Sequence, residues 1–514
     1  MALIQYLLSW WTVPIVIIAW YGHSYLISHN HLRGIPAPLG AQVSGLWLLI
    51  VSRLKARSVA VDQAHRKLGK VVRIQPNHVS IADESAISVI YGHGNGFLKS
   101  EFYGPFVSIR ENVFNTRDRN RHSRKRKLVA HAFSTRMVTQ FEPYVQHSLR
   151  LIIEKMDQLV DTSPHRNQVG KPEARVDLSP WLNYLAFDII GDLAFGTPLG
   201  MLQRGDDLVE TRATPNSPPS YVAAVGALHS RGEVNAVLGC MPRLQRYARY
   251  FPDPFYRRGL DGVDKIAGLA VSLVKKRLDD AMSSGEKRRD ILSRLQEGRD
   301  DMGQQLGREE LTAEALGYLI AGSDTLSTTL GVVLDNLARH PRVMRKLQAE
   351  LDEAIAEDVI VPQADAIQQL PYLSYVVYET LRHHSTSALG LPRQIPSDSE
   401  GVTILGRYFP PGTVLSVPTY TLHRDRAIWG EDADDFRPER WEETTQRQKE
   451  AFNPFSYGPR ACVGRNLAEL ELRLMTATWV RRYTLEPREE MRPAVKEGFL
   501  RKLPRVEMAM SRRF

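Results

Sequence analysis

Cysteine is scarce in this sequence. The 514 residues contain only two, Cys240 and Cys462. Two cysteines cannot build a disulfide framework, so we expect a reducing compartment and a thiol that is free to bind metal. The sequence also lacks internal repeats and long changes of composition, which favours one large core over several ordinary domains. With 43% hydrophobic and 24% charged residues, general disorder is excluded.

Charged side chains are absent from residues 3–27, a stretch long enough to cross a bilayer as one helix. We interpret residues 1–28 as a transmembrane anchor, because the basic start and the small-residue cleavage site of a signal peptide are missing. A buried or re-entrant hairpin is the alternative. The first basic residue, Arg33, follows this segment, so the positive-inside tendency predicts a single-pass protein whose body faces the cytosol.

The net charge of the chain is +9, and basic residues are concentrated at residues 117–127, where seven of eleven are Lys or Arg. The apolar Leu128 and Val129 follow, so a helix with one strongly basic face is predicted. Such a face suits nucleic acid, an anionic membrane or an acidic protein. The run has no interleaved aromatic residues and the chain has no recognised nucleic-acid module, so we do not expect nucleic acid as a partner.

A loop bounded by glycine and proline surrounds Cys462. Residues 455–464 read Phe-Ser-Tyr-Gly-Pro-Arg-Ala-Cys-Val-Gly, and an amphipathic helix is predicted to begin near Val463. The positive end of that helix is expected to lower the pKa of the thiol and so favour the anionic sulfur that binds iron. Phe455 is placed to shield the sulfur, and Arg460 to reach a carboxylate on a flat macrocycle. A buried free cysteine is the alternative.

Residues 310–339 have the length and periodicity of a long buried helix, but its centre is polar. The segment Ala321-Gly322-Ser323-Asp324-Thr325 places a glycine, an acid and hydroxyls where apolar side chains are expected. Local violations of this kind tend to mark function. A packing glycine with a hydroxyl bonded to the preceding turn is the alternative.

The spacing F-x-x-G-x-R-x-C-x-G at residues 455–464 is the signature of the cytochrome P-450 superfamily, which this loop resembles without a mismatch. The resemblance implies a mainly α-helical fold with a small β-rich lobe, and heme b with Cys462 as axial iron ligand. It also implies that Gly322 makes room for dioxygen. In the same way Asp324 and Thr325 would relay the protons that are needed before the O–O bond breaks.

Further motifs resemble the family's heme-edge contacts. In the family a Trp-x-x-x-Arg pair on a helix binds one propionate, and this chain has His122 and Arg126 at that spacing, on one helical face. The segment Leu391-Pro392-Arg393 resembles the strand whose arginine meets the second propionate. The resemblance therefore implies that His122, Arg126 and Arg393 bind the heme together with Arg460.

A last pair of motifs resembles a structural charge network. Glu379 and Arg382 have i, i+3 spacing in one helix, and Arg440 lies in Phe-Arg-Pro-Glu-Arg-Trp at residues 436–441. Taken alone, the first pair is typical of a surface ion pair. The resemblance implies instead a buried network of all three that holds the cysteine loop.

The resemblance also implies partners and a location. Electrons would come from NADPH through an FAD- and FMN-containing cytochrome P-450 reductase, with cytochrome b5 as a further partner. Membrane-bound relatives imply the endoplasmic reticulum and contact with membrane lipid. We therefore divide the chain into the anchor at 1–28, a proline-containing linker at 29–40 and a catalytic domain at 41–514.

A closer resemblance, to fungal benzoate 4-monooxygenases, lies in residues 97–134, 384–393 and 452–466. It implies a small aromatic substrate under a roof at residues 102–106, with its carboxylate held by hydroxyls in residues 384–387. Those hydroxyls could equally cap a helix end. A fungal polyketide or terpenoid substrate is the alternative.

Two other functions are weighed. A heme-thiolate isomerase or dehydratase would need no external electrons, but Asp324 and Thr325 argue against it because that chemistry protonates no bound oxygen. A non-enzymatic, membrane-tethered basic scaffold would require the heme motifs to be accidental.

Overall fold

Helices form most of the molecule. The computed structural model describes residues 29–284, 290–299, 304–489 and 491–514, with six isolated positions before residue 29. The helices are α1 (Leu46–Arg53), α2 (Arg57–Leu68), α3 (Ser85–Tyr91), α4 (Arg119–Ala130), α5 (Thr135–Val138), α6 (Glu142–Asp161), α7 (Leu178–Phe195), α8 (Met201–Arg204), α9 (Ala224–Cys240), α10 (Pro254–Ser284), α11 (Ile291–Glu297), α12 (Arg308–Arg339), α13 (Pro341–Ala354), α14 (Ala364–Ile367), α15 (Pro371–His383), α16 (Thr419–Leu422), α17 (Arg426–Trp429), α18 (Gln446–Ala451) and α19 (Arg465–Arg482).

The strands are short and form small sheets. They are β1 (Val71–Gln75), β2 (His78–Ile81), β3 (Leu98–Lys99), β4 (Ala174–Asp177), β5 (Leu208–Thr211), β6 (Ser220–Ala223), β7 (Arg393–Gln394), β8 (Val402–Ile404), β9 (Arg407–Phe409), β10 (Val414–Ser416), β11 (Tyr483–Pro487), β12 (Lys496–Glu497), β13 (Arg501–Lys502) and β14 (Glu507–Arg512). The largest sheet has the order β1-β2-β10-β7-β3, and a second has the order β11-β14-β4. A mainly helical fold with a small β-rich part is therefore confirmed.

The helix α12 lies at the centre of the main hydrophobic core. It packs against α7, α10 and α19, and most of its side chains are buried. A helix with neighbours on all sides must be apolar along most of its length, which explains the continuous apolar pattern of its second half. Its bounds agree with the prediction at residues 310–339.

A hairpin near residue 75 lies at one edge of the largest sheet. The strands β1 and β2 pair antiparallel, with Val71 opposite Ile81 and a break in register between Arg73 and Gln75. Alternating apolar residues bury one face of such a pair. The pairing of β2 with β10 is parallel and joins this hairpin to a distant part of the chain.

The predicted anchor, residues 1–28, lies almost entirely outside the described residues. Within the part of the chain that the structure describes, no helix is long and apolar enough to cross a membrane. The predicted linker packs against the body: Leu32 and Ile35 are each 1% exposed, and Arg73 N donates to Pro36 O at 2.9 Å. Core packing thus begins before the predicted domain start at residue 41, and the division itself stays a prediction.

The basic run forms α4, which Asp118 caps by accepting a hydrogen bond from Arg121 N. Its charges do not all face solvent. Lys125 is buried, and its ammonium lies 2.6 Å from Glu310 Oε1 and 2.9 Å from Glu314 Oε1 on α12. One lysine of the run is therefore a structural contact between two helices, whereas Lys127 is exposed.

We predict that Lys125→Met lowers the free energy of unfolding by about 3 kcal/mol, because it leaves buried carboxylates without their cation. Lys127→Met, two residues further along α4, removes the same charge from the surface and should change it by less than about 0.5 kcal/mol. Urea denaturation of both variants measures the difference. Equal stabilities would contradict a structural role for Lys125.

Candidate active site

A cavity of about 520 Å³ lies between the centre of α12, the cysteine loop and β7. Cys462 and Phe455 line it from the loop, Ala321 and Thr325 from α12, and Arg393 from β7. Its volume is typical of small-molecule sites. Residues that are far apart in the sequence thus meet around one internal space.

The cysteine loop is held in a strained conformation. Ser456 and Gly458 have φ of 60° and 71°, in the left-handed region. A Cβ added to Gly458 would lie 2.0 Å from Tyr91 O, so only glycine fits there. Cys462 N donates to Phe455 O at 2.9 Å, which closes the loop before α19 begins at Arg465.

The pKa of Cys462 shifts in the opposite direction to the one expected. Burial raises the pKa of the thiol, and the backbone N–H of Gly464 and the guanidinium of Arg126 oppose this only in part. The Cys462 side chain is exposed where it lines the cavity, and the N–H of Gly464 at the helix start lowers the thiol pKa as expected; the surrounding protein atoms raise it by more, so that the net shift is upward. A metal ion at the sulfur would supply the missing positive charge.

Four cations converge near this loop, Lys99 and Arg393 buried and Arg126 and Arg460 half-buried, and among the described residues none of them forms an ion pair with a carboxylate. Arg126, Arg393 and Arg460 were predicted from the sequence to bind heme, and Lys99 was not. Their hydrogen bonds go to neutral oxygens: Lys99 Nζ to Phe114 O, Arg126 Nη1 to Ala461 O at 2.7 Å, Arg393 Nη1 to Tyr103 Oη at 2.9 Å, and Arg460 Nη1 to Thr116 O at 2.7 Å.

The cluster is electrostatically unfavourable as it stands. Burial, followed by repulsion from Arg393, Arg460 and Arg126, holds the pKa of Lys99 well below its usual value. Burial and Arg393 lower the pKa of Arg460 to about 10. Buried charge of one sign requires a counter-ion. A ligand with two carboxylates, as heme has, fits this set of donors.

His122 belongs to the same region but carries no charge. Burial, with repulsion from Arg460 and Lys99, lowers the pKa of its imidazole to about 3. A neutral imidazole still donates one N–H to an anion and adds no repulsion to the cluster. His122 is therefore compatible with the position that the family fills with tryptophan.

Lys99 is the residue that the sequence analysis missed. Antiparallel pairing of β3 with β7 sets Lys99 opposite Arg393. The two lie almost 300 residues apart in the chain, and β3 is only two residues long, so no periodic pattern marks it. Only the strand pairing reveals this neighbour.

The polar centre of α12 divides between two faces. Thr325 lines the cavity and its Oγ1 donates to Ala321 O at 2.6 Å. Gly322 lies against α7, where an added Cβ would be 2.8 Å from Cδ1 of Ile190. The expected role of Gly322 in making room for dioxygen is therefore corrected: the glycine allows close helix packing, and Ala321 lines the cavity.

Asp324 is buried and already engaged. Its Oδ1 forms an ion pair with Lys502 of β13, and His229 Nε2 lies 3.2 Å from the same oxygen. Burial alone would raise the pKa of Asp324, but Lys502 and His229 outweigh it and hold that pKa below its usual range. The carboxylate is thus ionised and fixed beside Thr325.

The three residues of the predicted charge network are brought together. Arg382 Nη2 lies 2.8 Å from Glu379 Oε1, and Arg440 Nε lies 2.9 Å from the same oxygen. Trp441 Nε1 donates to the other oxygen at 3.0 Å. Arg382 also donates to backbone carbonyls of residues 423 and 433, so the network fixes the chain that leads to the cysteine loop.

The polar side chains of residues 384–387 point in different directions. Thr386 and Ser387 line the cavity. Ser385 Oγ donates to Leu381 O at 2.9 Å and lies 2.6 Å from His423 Nδ1, and His384 Nε2 contacts Arg501 O. The polar atoms of His384 and Ser385 are thus used within the fold, and the prediction that one or two hydroxyls of this segment hold a carboxylate stays a prediction for Thr386 and Ser387.

Comparisons with known proteins agree with this geometry. The family model for cytochrome P-450 matches residues 36–510. A benzoate 4-monooxygenase of Aspergillus niger is 52% identical over 501 residues, covering 97% of this chain and 96% of the relative. A cytochrome P-450 monooxygenase of Aspergillus terreus is 30% identical over 94% of this chain and 97% of its own length. Pisatin demethylase of Fusarium vanettenii is 30% identical over 92% of this chain and 89% of its own length.

We predict that Lys502→Met lowers the free energy of unfolding by about 3 kcal/mol at neutral pH, because Asp324 is left buried without its main cation. The double variant with Asp324→Asn should recover most of the loss. The pair's contribution is present above the ordinary Asp pKa of about 3.9 and fades as pH falls through the lower folded-state pKa. Urea denaturation across pH measures both effects, and a double variant as unstable as the sum of the single ones would contradict this pairing.

Proposed function

The chain belongs to the cytochrome P-450 family and is a monooxygenase of that family, and from this premise we propose that it hydroxylates benzoate or a closely similar small aromatic acid. The observation that carries the proposal is the 52% identity, over nearly the full length of both chains, to a protein named benzoate 4-monooxygenase. The family implies heme and a redox partner.

We propose that Cys462 is the axial ligand of the heme iron and that the cationic cluster binds the two heme carboxylates. Arg393 is buried and Arg126 and Arg460 are half-buried close to the loop, and Lys99 and His122 add further donors. The thiolate-bound heme iron supplies the activation of dioxygen, from which one oxygen atom enters the substrate and the other leaves as water. Phe455, beside Cys462 in the cavity wall, keeps water from the sulfur.

Proton delivery is proposed for the centre of α12. The hydroxyl of Thr325 faces the cavity and is oriented by Ala321 O. Asp324 lies next to it in the chain, ionised and paired with Lys502. Thr325 therefore holds a proton at the cavity wall. Asp324 would replace that proton only after it separates from Lys502 and takes up a proton from solvent, because its carboxylate is ionised in the pair.

The substrate half of the cavity suits a flat ring. Phe106, Phe114 and Phe499 line it, and their ring centroids lie 5.0 to 5.8 Å apart in edge-to-face or tilted pairs. Aromatic walls of this kind favour flat aromatic ligands over flexible chains. Since the activated oxygen is weakly selective, the position of the ring decides which carbon is hydroxylated.

For electron supply we propose NADPH and an FAD- and FMN-containing reductase, with cytochrome b5 as a second donor. Arg119, Arg121 and Lys127 are exposed on α4. The same helix contacts the cysteine loop through Arg126 and Ala461 O. A basic surface on the cysteine side of the cavity favours an acidic protein partner, which electrostatic attraction would steer to it.

We also propose attachment to the endoplasmic reticulum membrane, with residues 1–28 as anchor and the catalytic body in the cytosol. Exposed apolar side chains support this proposal. Leu39 and Tyr250 are 98% and 84% exposed, and Ile50 in α1 and Leu54 directly after it are also exposed. Arg53 of α1 lies 2.7 Å from Asp253, which brings the end of α1 close to the segment that carries Tyr250. Exposed apolar groups of this kind favour contact with lipid.

We predict that Cys462→Ser abolishes the strongly red-shifted absorption of the reduced carbon monoxide complex, because only an anionic sulfur ligand produces it. Cys240→Ser is the matched control. Cys240 is the other cysteine, and it lies buried next to Ser52, so this variant should retain the band. Survival of the band in Cys462→Ser would remove the axial assignment.

Incubation of the heme-loaded protein with reductase, NADPH and benzoate tests the proposed substrate. Benzoate should shift the spin state of the iron and be converted to a hydroxybenzoate, the 4-isomer being expected. A matched incubation without NADPH should give the spin shift and no product. Absence of both the shift and the product would contradict the proposed substrate and leave the family assignment standing.

A further inference from the structure

Arg231 on α9 is a buried cation that lines the cavity away from the cysteine loop. Arg231 is 5% exposed, and no carboxylate in the part of the chain that the structure describes forms an ion pair with it. Its Nη2 donates to Phe106 O at 3.2 Å, whereas its buried Nε has no hydrogen-bond partner. Burial lowers the pKa of Arg231 to about 10, and Asp324 opposes this only in part. An arginine in this state is costly unless an anion joins it.

Asn235 lies one helical turn further along the same face of α9. It is 1% exposed, and neither Oδ1 nor Nδ2 has a hydrogen-bond partner. Buried amides are nearly always satisfied, so an unsatisfied amide one turn from Arg231 leaves polar groups without partners behind the cavity wall, which Asn235 itself does not line. This face of α9 packs against residues 101–106, the segment that carries Phe106.

The neighbourhood of Arg231 combines charge with an aromatic wall. Phe106, whose carbonyl accepts from Arg231, has its ring 5.0 Å from that of Phe499 and 5.8 Å from that of Phe114. A carboxylate at the guanidinium therefore has flat apolar surface beside it for the attached ring. The planar fork of arginine also matches a carboxylate with two parallel hydrogen bonds.

The other cavity cations have partners or another assignment. Lys502 is paired with Asp324. Lys99, Arg393 and Arg460 belong to the cluster beside the cysteine loop, where two heme carboxylates account for them. Lys55 is paired with Glu233, and Lys496 is exposed to solvent. Among the described cations that line the cavity, Arg231 is therefore left as the buried one that an additional anion would neutralise.

We propose that Arg231 binds the carboxylate of the aromatic acid substrate and, with Asn235 behind it, sets which ring carbon is presented for hydroxylation. The inference rests on the proposed function, which supplies an aromatic acid as substrate. Holding the ring by its carboxylate fixes the distance and the direction of every ring carbon, so one contact determines the site of hydroxylation. The hydroxyls of Thr386 and Ser387 are then lining groups and not the anchor.

The test compares ligands and variants by equilibrium dialysis of the heme-loaded protein, using radiolabelled benzoate and its uncharged analogue benzamide. We expect the unmodified protein to bind benzoate at least roughly tenfold more tightly than benzamide. Arg231→Met should weaken benzoate binding roughly 10- to 100-fold and benzamide binding less than about threefold. Arg231→Lys, which keeps the charge but not the fork, should lie between the two. Arg246→Met, an exposed arginine outside the cavity, should change neither affinity.

The outcomes separate this inference from the proposed function. If the unmodified protein fails to bind benzoate, the proposed substrate is wrong and the inference falls with it. If it binds benzoate but Arg231→Met binds equally well, only the role of Arg231 is overturned. Heme content and the carbon monoxide band show whether each variant folds. Should Arg231→Met not fold, equal affinity of the unmodified protein for benzoate and benzamide, or unchanged benzoate binding by Arg231→Lys, overturns the inference.

Discussion

Uncompensated positive charge beside one cavity is the constraint on which the rest of this structure depends. Lys99, Arg126, Arg393 and Arg460 are held together by backbone carbonyls and a tyrosine hydroxyl, against their mutual repulsion. Neutral acceptors orient the donors without cancelling their charge, so the cluster keeps its attraction for a dianion. A ligand that supplies two carboxylates stabilises the folded state as it binds. Folding and heme binding are coupled through this charge.

Two other groups of buried charges are paired. Lys125 meets Glu310 and Glu314, and Glu379 meets Arg382 and Arg440. These pairs hold helices and the cysteine loop in place, and breaking one of them leaves an uncompensated ion. The cationic cluster and Arg231 differ from these pairs because, among the described residues, they have no carboxylate partner, and all of them except Arg126 line the cavity.

The motifs with fixed local spacing were readable from the sequence. The cysteine loop, the polar centre of α12 and the Glu379–Arg382 spacing all lie within a few residues or one helical turn, where the covalent chain itself sets the geometry. The long helices and the β1–β2 hairpin follow from apolar periodicity in the same way. Residues in such patterns were assigned before the fold was known.

The sequence by itself determined the family, the helical class and the position of the cysteine loop, because each depends on local periodicity or on residues close together in the chain. Only the tertiary structure decided that Lys99 faces Arg393, that Gly322 packs on α7, that Lys125 is internal and that Arg231 is buried without an anion. Burial and electrostatic partners come from segments that are distant in the chain, such as those of Arg460 and Thr116, which lie 344 residues apart. Side chains lose contact with water only when those segments pack together. This desolvation raises the pKa of Cys462, for which a lower pKa was expected from the sequence.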